Sequence, residues 1–433
     1  MKTNSELLKY AKQKEAELAQ ASKQREHNTL EKALRYRREE DRDYARVLYS
    51  SSFRRLQDKM QLFAPQQNRF HRNRLTHSLE VAQIAKVIAQ KLKLKNLVTI
   101  QTCALAHDIG NPPFGHYGEN VLDELVLPFE SRFEGNAQTF RVLTKLEEKH
   151  HLYYGLNLTW RTLFGVVKYP NDSSANPKKF LYETDWTIVN EKAQELNVKI
   201  GNGIKTIDAE IMDIADEIAY AAHDLNDALK QGYFSVDELS YEFKVSLEGK
   251  YQKAQELFDD IVTHARNFAS KANCYKTSEE YQSLFLRELI SEIVNRLVDS
   301  VNIVDDILGY SDSYNLLADG LKRLTYNAVS RRRDIKQYEL MGEKVLRGLF
   351  QVYMDQSYNK DGRLLPLDYI QRYVMERSKD NSFISEHFVV PVRDYIAGMM
   401  DSFAIEQYKK YFGNNSLDQI YFTEDQFAFP IIK

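Results

Sequence analysis

The chain has 433 residues, of which 43% are hydrophobic, so it can bury a sizeable core in one elaborated domain or in two or three smaller ones. Its 17 glycines and 9 prolines are few, which favours helices over a turn-rich sheet protein. A formal net charge of -3 excludes a dominant nucleic-acid-binding field, and two cysteines exclude a disulfide framework. The charged N-terminus and the lack of a long apolar run predict a cytoplasmic, soluble protein with no membrane segment.

The first strongly patterned segment follows a charged stretch, residues 1–45, that we expect to be an exposed helix or an ordered arm. It reads RLTHSLEVAQIAKVIAQKL. His77, Val81, Ile84 and Ile88 are spaced i, i+4, i+7 and i+11, which places them on one face of a helix. His77 therefore heads an apolar stripe.

The next segment, LVTIQTCALAHDIGNPPFGH, predicts a helix that ends abruptly. Its apolar inner face leads to His107 and Asp108, and Gly110 is placed as a C-terminal stop. The proline pair that follows cannot continue a helix. Ending the helix here lets adjacent His and Asp side chains converge while the chain turns away.

The rest of the chain is predicted to be helical except for residues 164–205, a polar loop or insertion with proline and asparagine turns. Residues 206–232 form a strongly periodic helix. Its buried stripe is expected to contain Ile211, Ala215, Ile218, Ala222 and Leu225. Residues 238–415 stay helical in pattern, with a turn at 310–315 and looser punctuation at 359–366. No linker is evident, so we predict one all-α unit over 1–433, with a core at about 50–235 and a C-terminal helical part at about 238–433.

Two imidazoles and two carboxylates at this spacing suit one divalent cation of the Mn, Fe, Co or Mg type better than a thiolate-rich zinc site. The four candidate ligands are His77, His107, Asp108 and Asp216. Tyr220 and Asp224 follow Asp216 at i+4 and i+8, on one helical face away from the apolar stripe. We expect them to line the space where the metal binds its substrate.

This H…HD…D pattern is the signature of the HD-domain phosphohydrolases, and the surrounding strings narrow the resemblance. The strings are FRRLQDKMQLF, RNRLTHSLEV, LAHDIGNPPFGHYGE, FEGNAQTFRVL, VVKYP and EIMDIADEIAYAAHDLNDA. In this order they resemble the bacterial deoxyguanosinetriphosphate triphosphohydrolases, or dNTP triphosphohydrolases. The resemblance covers roughly residues 30–350, and no motif could be placed after about 350.

The resemblance implies a helical HD-domain core and hydrolysis of a dNTP, with dGTP expected, to a deoxynucleoside and inorganic triphosphate. It implies one divalent metal ion per subunit (Mn, Mg, or another such as Co, Fe, Ni or Zn), held by the four candidate ligands. It also implies a homo-oligomer, a tetramer or hexamer, with a dNTP effector and single-stranded nucleic acid as further candidate partners.

The resemblance also implies roles for individual side chains. His116 and Glu119 match the pair that handles the proton, with Glu119 orienting His116. The positions matching the substrate site are Gln61 and Asp224 at the sugar 3′-hydroxyl, Tyr220 and Arg74 beside the sugar and phosphates, Glu134 and Asn136 close to the site, and Lys322 at the triphosphate.

Two alternatives stay open from the residues. One is a different HD-type reaction, such as that of a nucleotide monophosphatase, a cyclic-nucleotide phosphodiesterase or an alarmone hydrolase, although these lack the FEGNAQ and DEIAYAAHD strings. The other is a regulator that binds nucleotides or single-stranded nucleic acid on the same scaffold, with aromatic and basic residues in RYRREEDRDYARVLY making the contacts. The presence of the whole metal set together with His116 and Glu119 favours an enzyme.

Overall fold

The computed structural model describes residues 2–27, 36–62, 72–272, 275–276, 278–376 and 388–413. Within these ranges the chain is helical apart from one short hairpin, which confirms the predicted all-α class. None of the helices in these ranges has the length and apolar character needed to cross a membrane.

The helices in the first half of the chain are α1 (Asn4–Glu17), α2 (Glu39–Leu48), α3 (Ser51–Arg55), α4 (Arg74–Lys91), α5 (Leu97–Ala106), α6 (Gly115–Val126), α7 (Gly135–Arg141), α8 (Trp160–Gly165), α9 (Glu183–Glu195) and α10 (Ile207–Ala219). The second half contains α11 (Leu225–Lys230), α12 (Val236–Val245), α13 (Gln252–Ser270), α14 (Glu279–Ser300), α15 (Asp312–Ser330), α16 (Arg333–Met354), α17 (Leu367–Glu376), α18 (Val389–Ala397) and α19 (Asp401–Phe412). The antiparallel hairpin pairs β1 (Asn302–Val304) with β2 (Ile307–Gly309).

Helices α4, α5 and α10 pack against one another and carry the predicted ligands. The apolar stripe of α4 is buried, as predicted, and His77 at its head is fully buried with it. Helix α4 begins at Arg74 because the Asn73 side chain accepts a hydrogen bond from the Thr76 N–H at 3.0 Å. All five residues of the stripe predicted within residues 206–232 are also buried.

The sequence predicted that Gly110 ends helix α5, and this prediction is wrong. Helix α5 already ends at Ala106, and Gly110 does not have a left-handed backbone. An added Cβ at Gly110 would lie 2.1 Å from the backbone nitrogen of Thr139 and 2.4 Å from the carbonyl oxygen of Gly135. The glycine is needed because α7 packs directly against this turn.

Three segments differ from the sequence-based expectation. The loop-rich stretch at 164–205 contains helix α9, and the region 238–415 contains the β1–β2 hairpin as well as helices. Helix α15 begins at Asp312, so the turn expected at 310–315 is shorter than predicted. The hairpin turn is made by Asp305 and Asp306, both with positive φ (48° and 62°), the backbone of a tight hairpin connection.

A π-helical turn, Tyr220–Asp224, joins α10 to α11 where the periodicity predicted one continuous helix. Within this turn, the carbonyl of His223 accepts a hydrogen bond from Arg72 at 2.8 Å. The turn lies at the predicted substrate face, because Tyr220 and Asp224 are its first and last residues.

The C-terminal part forms a second apolar cluster with α6. Its members come mainly from α6, α16, α18 and α19, whereas the larger cluster contains α4, α5, α8, α10 and the helices up to α15. The segment after about residue 350 therefore packs against α6, the helix that begins with Gly115 and His116.

Candidate active site

The four predicted metal ligands meet at the junction of α4, α5 and α10. Ligand atoms of His77, His107 and Asp108 all lie within 4.8 Å of one another. Asp216, on α10, places its Oδ1 atom 3.0 Å from Nε2 of His77 and 3.4 Å from Nε2 of His107. Two imidazoles and two carboxylates from distant parts of the chain therefore converge on one buried point.

The Nε2 atoms of both imidazoles face Asp216 at this point, and a contact on the far side of the ring fixes the orientation of His107. The Nδ1 atom of His107 lies 2.6 Å from the carbonyl oxygen of Ala104, which assigns the proton to Nδ1. The Nε2 atom of His107 is buried and has no hydrogen-bond partner. Burial lowers the pKa of His77, which keeps its ring neutral, as a metal ligand must be.

Each of the two carboxylates is held by a basic side chain through one of its oxygens. Arg74 donates to Oδ2 of Asp108 at 2.7 Å, and Lys168 donates to Oδ2 of Asp216 at 2.7 Å. Burial opposes ionisation of both acids, but His107 and Arg74 lower the pKa of Asp108, and Lys168 and His107 lower that of Asp216. Burial opposes the charged form of His107, but Asp108 and Asp216 outweigh it and raise the pKa of this ring. Two ionised carboxylates beside two imidazoles, with a buried nitrogen left unpaired, form a donor set that fits a divalent cation.

His116 and Glu119 form a separate pair on the first turn of α6. The Nδ1 atom of His116 lies 3.0 Å from Oε2 of Glu119, and the His116 side chain is 62% exposed. Glu119 is buried and also accepts a hydrogen bond from the N–H of Gly135 at 3.1 Å. Burial raises the pKa of Glu119, but His116, Lys179 and the Gly135 N–H outweigh it and lower the pKa to about 2. The ionised carboxylate fixes the ring so that Nε2 is the nitrogen available to the cavity.

A cavity of about 1190 Å³ contains both groups. Its wall includes three of the four candidate ligands, His116 and Glu119. It also includes five of the predicted substrate residues, namely Gln61, Asn136, Tyr220, Asp224 and Lys322. The fourth candidate ligand, His77, is fully buried behind Tyr220, with ring centroids 5.1 Å apart.

Gln61 and Asp224 are buried polar side chains of the wall. Both amide atoms of Gln61 lack a hydrogen-bond partner. Burial and the neighbouring Asp227 raise the pKa of Asp224 well above its ordinary value. Buried polar groups without partners are costly, so Gln61 is suited to a ligand that supplies hydrogen bonds, and the carboxyl group of Asp224 lines the same cavity.

Arg74 and Glu134, both predicted beside the substrate, are buried behind the wall. Arg74 is fully buried and contacts Asp108. Glu134 caps α7 by accepting the N–H groups of Asn136 and Ala137 at 2.6 and 2.8 Å. Their observed contacts support the side chains around the cavity, while contact with a substrate stays a prediction.

Sequence reasoning missed three residues of the wall, Lys168, Tyr169 and Lys179. Lys168 contacts Asp216 and also Asp213, at 3.0 Å. Lys179 contacts Glu134 at 2.9 Å and lies 3.6 Å from Glu119. Lys168 and Tyr169 lie within the VVKYP string, which was the signal that could have found them, whereas no string of the resemblance contains Lys179. The hairpin also lines the cavity through Val304, Asp305 and the whole of β2.

These helices and their ligand cluster define an HD-domain protein. The family model described as "HD domain" matches residues 74–221, which span α4 to the π-helical turn. A second family model, described as "Phosphohydrolase-associated domain", matches residues 308–410 in the C-terminal part. The candidate site lies in the segment that matches the first model, and the C-terminal helices that pack against α6 lie in the segment that matches the second.

The chain belongs to the deoxyguanosinetriphosphate triphosphohydrolase-like family of phosphohydrolases. It is 50% identical to deoxyguanosinetriphosphate triphosphohydrolase-like protein 2 of Vibrio cholerae serotype O1, over 88% of this chain and 90% of that protein. It is 34% identical to a relative of the same family name from Geobacter sulfurreducens, over 86% and 88% of the two chains. A Rickettsia conorii relative is 32% identical over 87% and 91%.

Proposed function

We propose that the protein hydrolyses deoxynucleoside triphosphates, with dGTP as the expected substrate, at the α-phosphate. The products are a deoxynucleoside and inorganic triphosphate. The observation that carries this proposal is that the buried His/Asp cluster and the His116–Glu119 pair share one cavity. The family names of the relatives support a nucleotide substrate.

The metal site would be held by His77, His107, Asp108 and Asp216. A divalent cation bound there would supply charge stabilisation for the α-phosphate oxygens. Arg74 and Lys168 keep the two carboxylates ionised and oriented.

His116 is the proton donor in this proposal. Breaking the bond between the α-phosphorus and the 5′-oxygen leaves an alkoxide that needs a proton. A histidine whose Nδ1 atom is fixed by a carboxylate can deliver a proton from Nε2. Glu119 holds the ring in this orientation and stays ionised because of its low pKa.

The remaining wall residues divide into two groups by chemistry. Lys168, Lys179 and Lys322 offer ammonium groups to the triphosphate. Gln61 offers unpaired amide atoms, and Asp224 a buried carboxyl group, to the sugar 3′-hydroxyl, beside the ring of Tyr220. A dNTP effector, single-stranded nucleic acid, a tetrameric or hexameric assembly and a cytoplasmic location remain predictions carried by the resemblance and the composition.

The direct experiment is a substrate panel. The purified protein, supplied with Mn or Mg, is incubated with each of the four dNTPs and with GTP, and deoxynucleoside or nucleoside release is followed by chromatography. We expect release from dNTPs, with dGTP the best substrate, and none from the Asp216→Ala variant. Absence of nucleoside release from every dNTP, in protein shown to contain metal, would overturn the proposal.

A further inference from the structure

The backbone that presents His116 is unusual. Phe114, the residue before α6, has φ 64° and ψ 25°, a left-handed conformation rare for a large side chain. Gly115, the next residue, has φ 60°. Such a backbone persists only where the surrounding structure holds it in place. These two residues set the direction in which His116 leaves the turn.

Asp401, in the C-terminal part, holds this turn. Its side chain is buried at the start of α19, and Oδ1 accepts a hydrogen bond from the Phe114 N–H at 3.0 Å. Its Oδ2 atom accepts from the Met60 N–H at 3.0 Å and from the Tyr338 hydroxyl at 3.1 Å. One carboxylate thus joins the turn before His116 to the residue before Gln61.

The side chain of Phe114 is fixed from the same side. It is buried in the second apolar cluster, and its ring centroid lies 5.7 Å from that of Tyr338. Helix α16 makes room for it with Gly342, where an added Cβ would lie 2.6 Å from Cγ of Phe114. Lys59 adds a parallel link, because its ammonium group donates to the carbonyls of Asn111 and Ala397.

We infer that Asp401 is a positioning residue that holds the Phe114–Gly115 turn so that His116 faces the reacting phosphate. The C-terminal part then contributes to catalysis through His116, by a hydrogen bond between Asp401 on α19 and the turn that precedes α6. The inference rests on the proposed role of His116. It gives a function to a region in which no sequence motif could be placed.

The test compares Asp401→Ala with Glu406→Ala, an acidic residue of the same helix whose ion pair is an exposed one with Lys410. We expect Asp401→Ala to lower kcat about 10- to 100-fold, the loss typical of supporting residues, with bound metal unchanged. Glu406→Ala should match the wild type. In a His116→Ala background, Asp401→Ala should lower kcat little further, because the effect passes through His116. An equal fold-loss in both backgrounds would overturn the inference.

A spectroscopic measurement separates this inference from the proposed reaction. In protein labelled with ¹⁵N-histidine, the ring signal missing from His116→Ala identifies His116, and Asp401→Ala should shift it. A shifted signal in a protein that hydrolyses no dNTP would refute the reaction and keep the positioning role. If the wild type is active, and Asp401→Ala changes neither kcat nor the His116 signal, the positioning role is refuted and the proposed reaction is kept.

Two milder variants guard against loss of folding in Asp401→Ala. Asp401→Asn keeps one oxygen that can accept the Phe114 N–H, and Tyr338→Phe removes only the hydroxyl donor to Oδ2. We expect a partial fall in kcat in both, with thermal midpoints near the wild type. Wild-type kcat in both folded variants would overturn the inference.

Discussion

His107 and His116 are nine residues apart but have different kinds of partner. His107 is buried, donates from Nδ1 to a carbonyl and faces Asp216 with Nε2. His116 is largely exposed and is held by Glu119. The first environment suits a metal ligand and the second suits a group that gains and loses a proton.

This difference predicts separable losses. His107→Ala and Asp216→Ala should lose bound metal and activity together, because each removes a ligand from a four-residue set. His116→Ala should keep the metal and lose about 100- to 10,000-fold in turnover, as expected of a proton donor. Metal content by elemental analysis and kcat, measured on the same preparations, check both. Loss of metal from His116→Ala would make His116 a ligand and the division wrong.

A second residue-scale prediction concerns the sugar. Gln61 and Asp224 would be left unpaired by a substrate lacking the 3′-hydroxyl, at about 1–3 kcal/mol per unsatisfied group. The enzyme should therefore prefer dGTP strongly to its 2′,3′-dideoxy analogue, and Asp224→Ala should erase most of that preference. The measurement is kcat/KM for both nucleotides and for GTP, on both proteins. Rejection of GTP, which we ascribe to crowding at the 2′ position near Tyr220, should remain. An unchanged dideoxy preference in the variant would place Asp224 outside the sugar pocket.

The site residues that the sequence predicted are those that belong to a motif and also lie on a periodic helix. His77 heads an apolar stripe, and Asp216, Tyr220 and Asp224 recur every four residues, so their common location follows from helix geometry. Lys168 and Lys179 lie in an irregular segment, where spacing along the chain does not indicate direction. Their contacts with Asp216 and Glu134 depend on tertiary packing that no local pattern encodes.

Among the helices, the approach of α7 to the turn after α5 yields a stability prediction. Gly110→Ala would place a methyl group 2.1 Å from a backbone nitrogen, so the two elements must separate. We expect a loss of at least about 2 kcal/mol in the free energy of unfolding, as for an overpacked core. Gly309→Ala is the matched control, because its Cβ would meet the nearest atom at an ordinary 3.5 Å. Chemical denaturation of both variants in metal-free buffer checks the difference, and equal stabilities would contradict it.

The elements that the sequence did not predict are the β1–β2 hairpin, helix α9 and the π-helical turn. Strands of three residues, such as β1 and β2, cannot display alternation, although the aspartate pair between them is a hairpin signal. Helix α9 was hidden because the prolines before it dominate the composition of residues 164–205. A π-helical turn holds one more residue than an α-helical turn. Because Ala222 is buried in this turn, as a continuous helix also predicts, the apolar period does not reveal the extra residue.

Across the whole molecule, the candidate metal ligands join helices that are distant along the chain, so metal binding should stabilise the native state. At a metal concentration about 1,000 times the Kd, this linkage is worth about 4 kcal/mol. We expect a chelator to lower the thermal midpoint of the wild type and to leave that of Asp216→Ala nearly unchanged. Equal shifts in the two proteins would place the metal elsewhere.

The sequence predicted the helical class of the whole chain but not how its C-terminal part packs. The apolar pattern of α16, α18 and α19 indicates buried helices without specifying a partner, and the partner proves to be α6. The contact of Asp401 with Phe114 spans 287 positions, a separation over which a single sequence carries no pairing signal.

The most direct measurement identifies the inorganic product and the bond that breaks. The metal-containing protein is incubated with dGTP in ¹⁸O-labelled water, and the phosphates are resolved by ³¹P spectroscopy and mass spectrometry. We predict deoxyguanosine and inorganic triphosphate in equal amounts, with the label in the triphosphate, because water attacks the α-phosphorus. Pyrophosphate with dGMP, or orthophosphate with dGDP, would contradict the placement of the metal cluster and His116 at the α-phosphate.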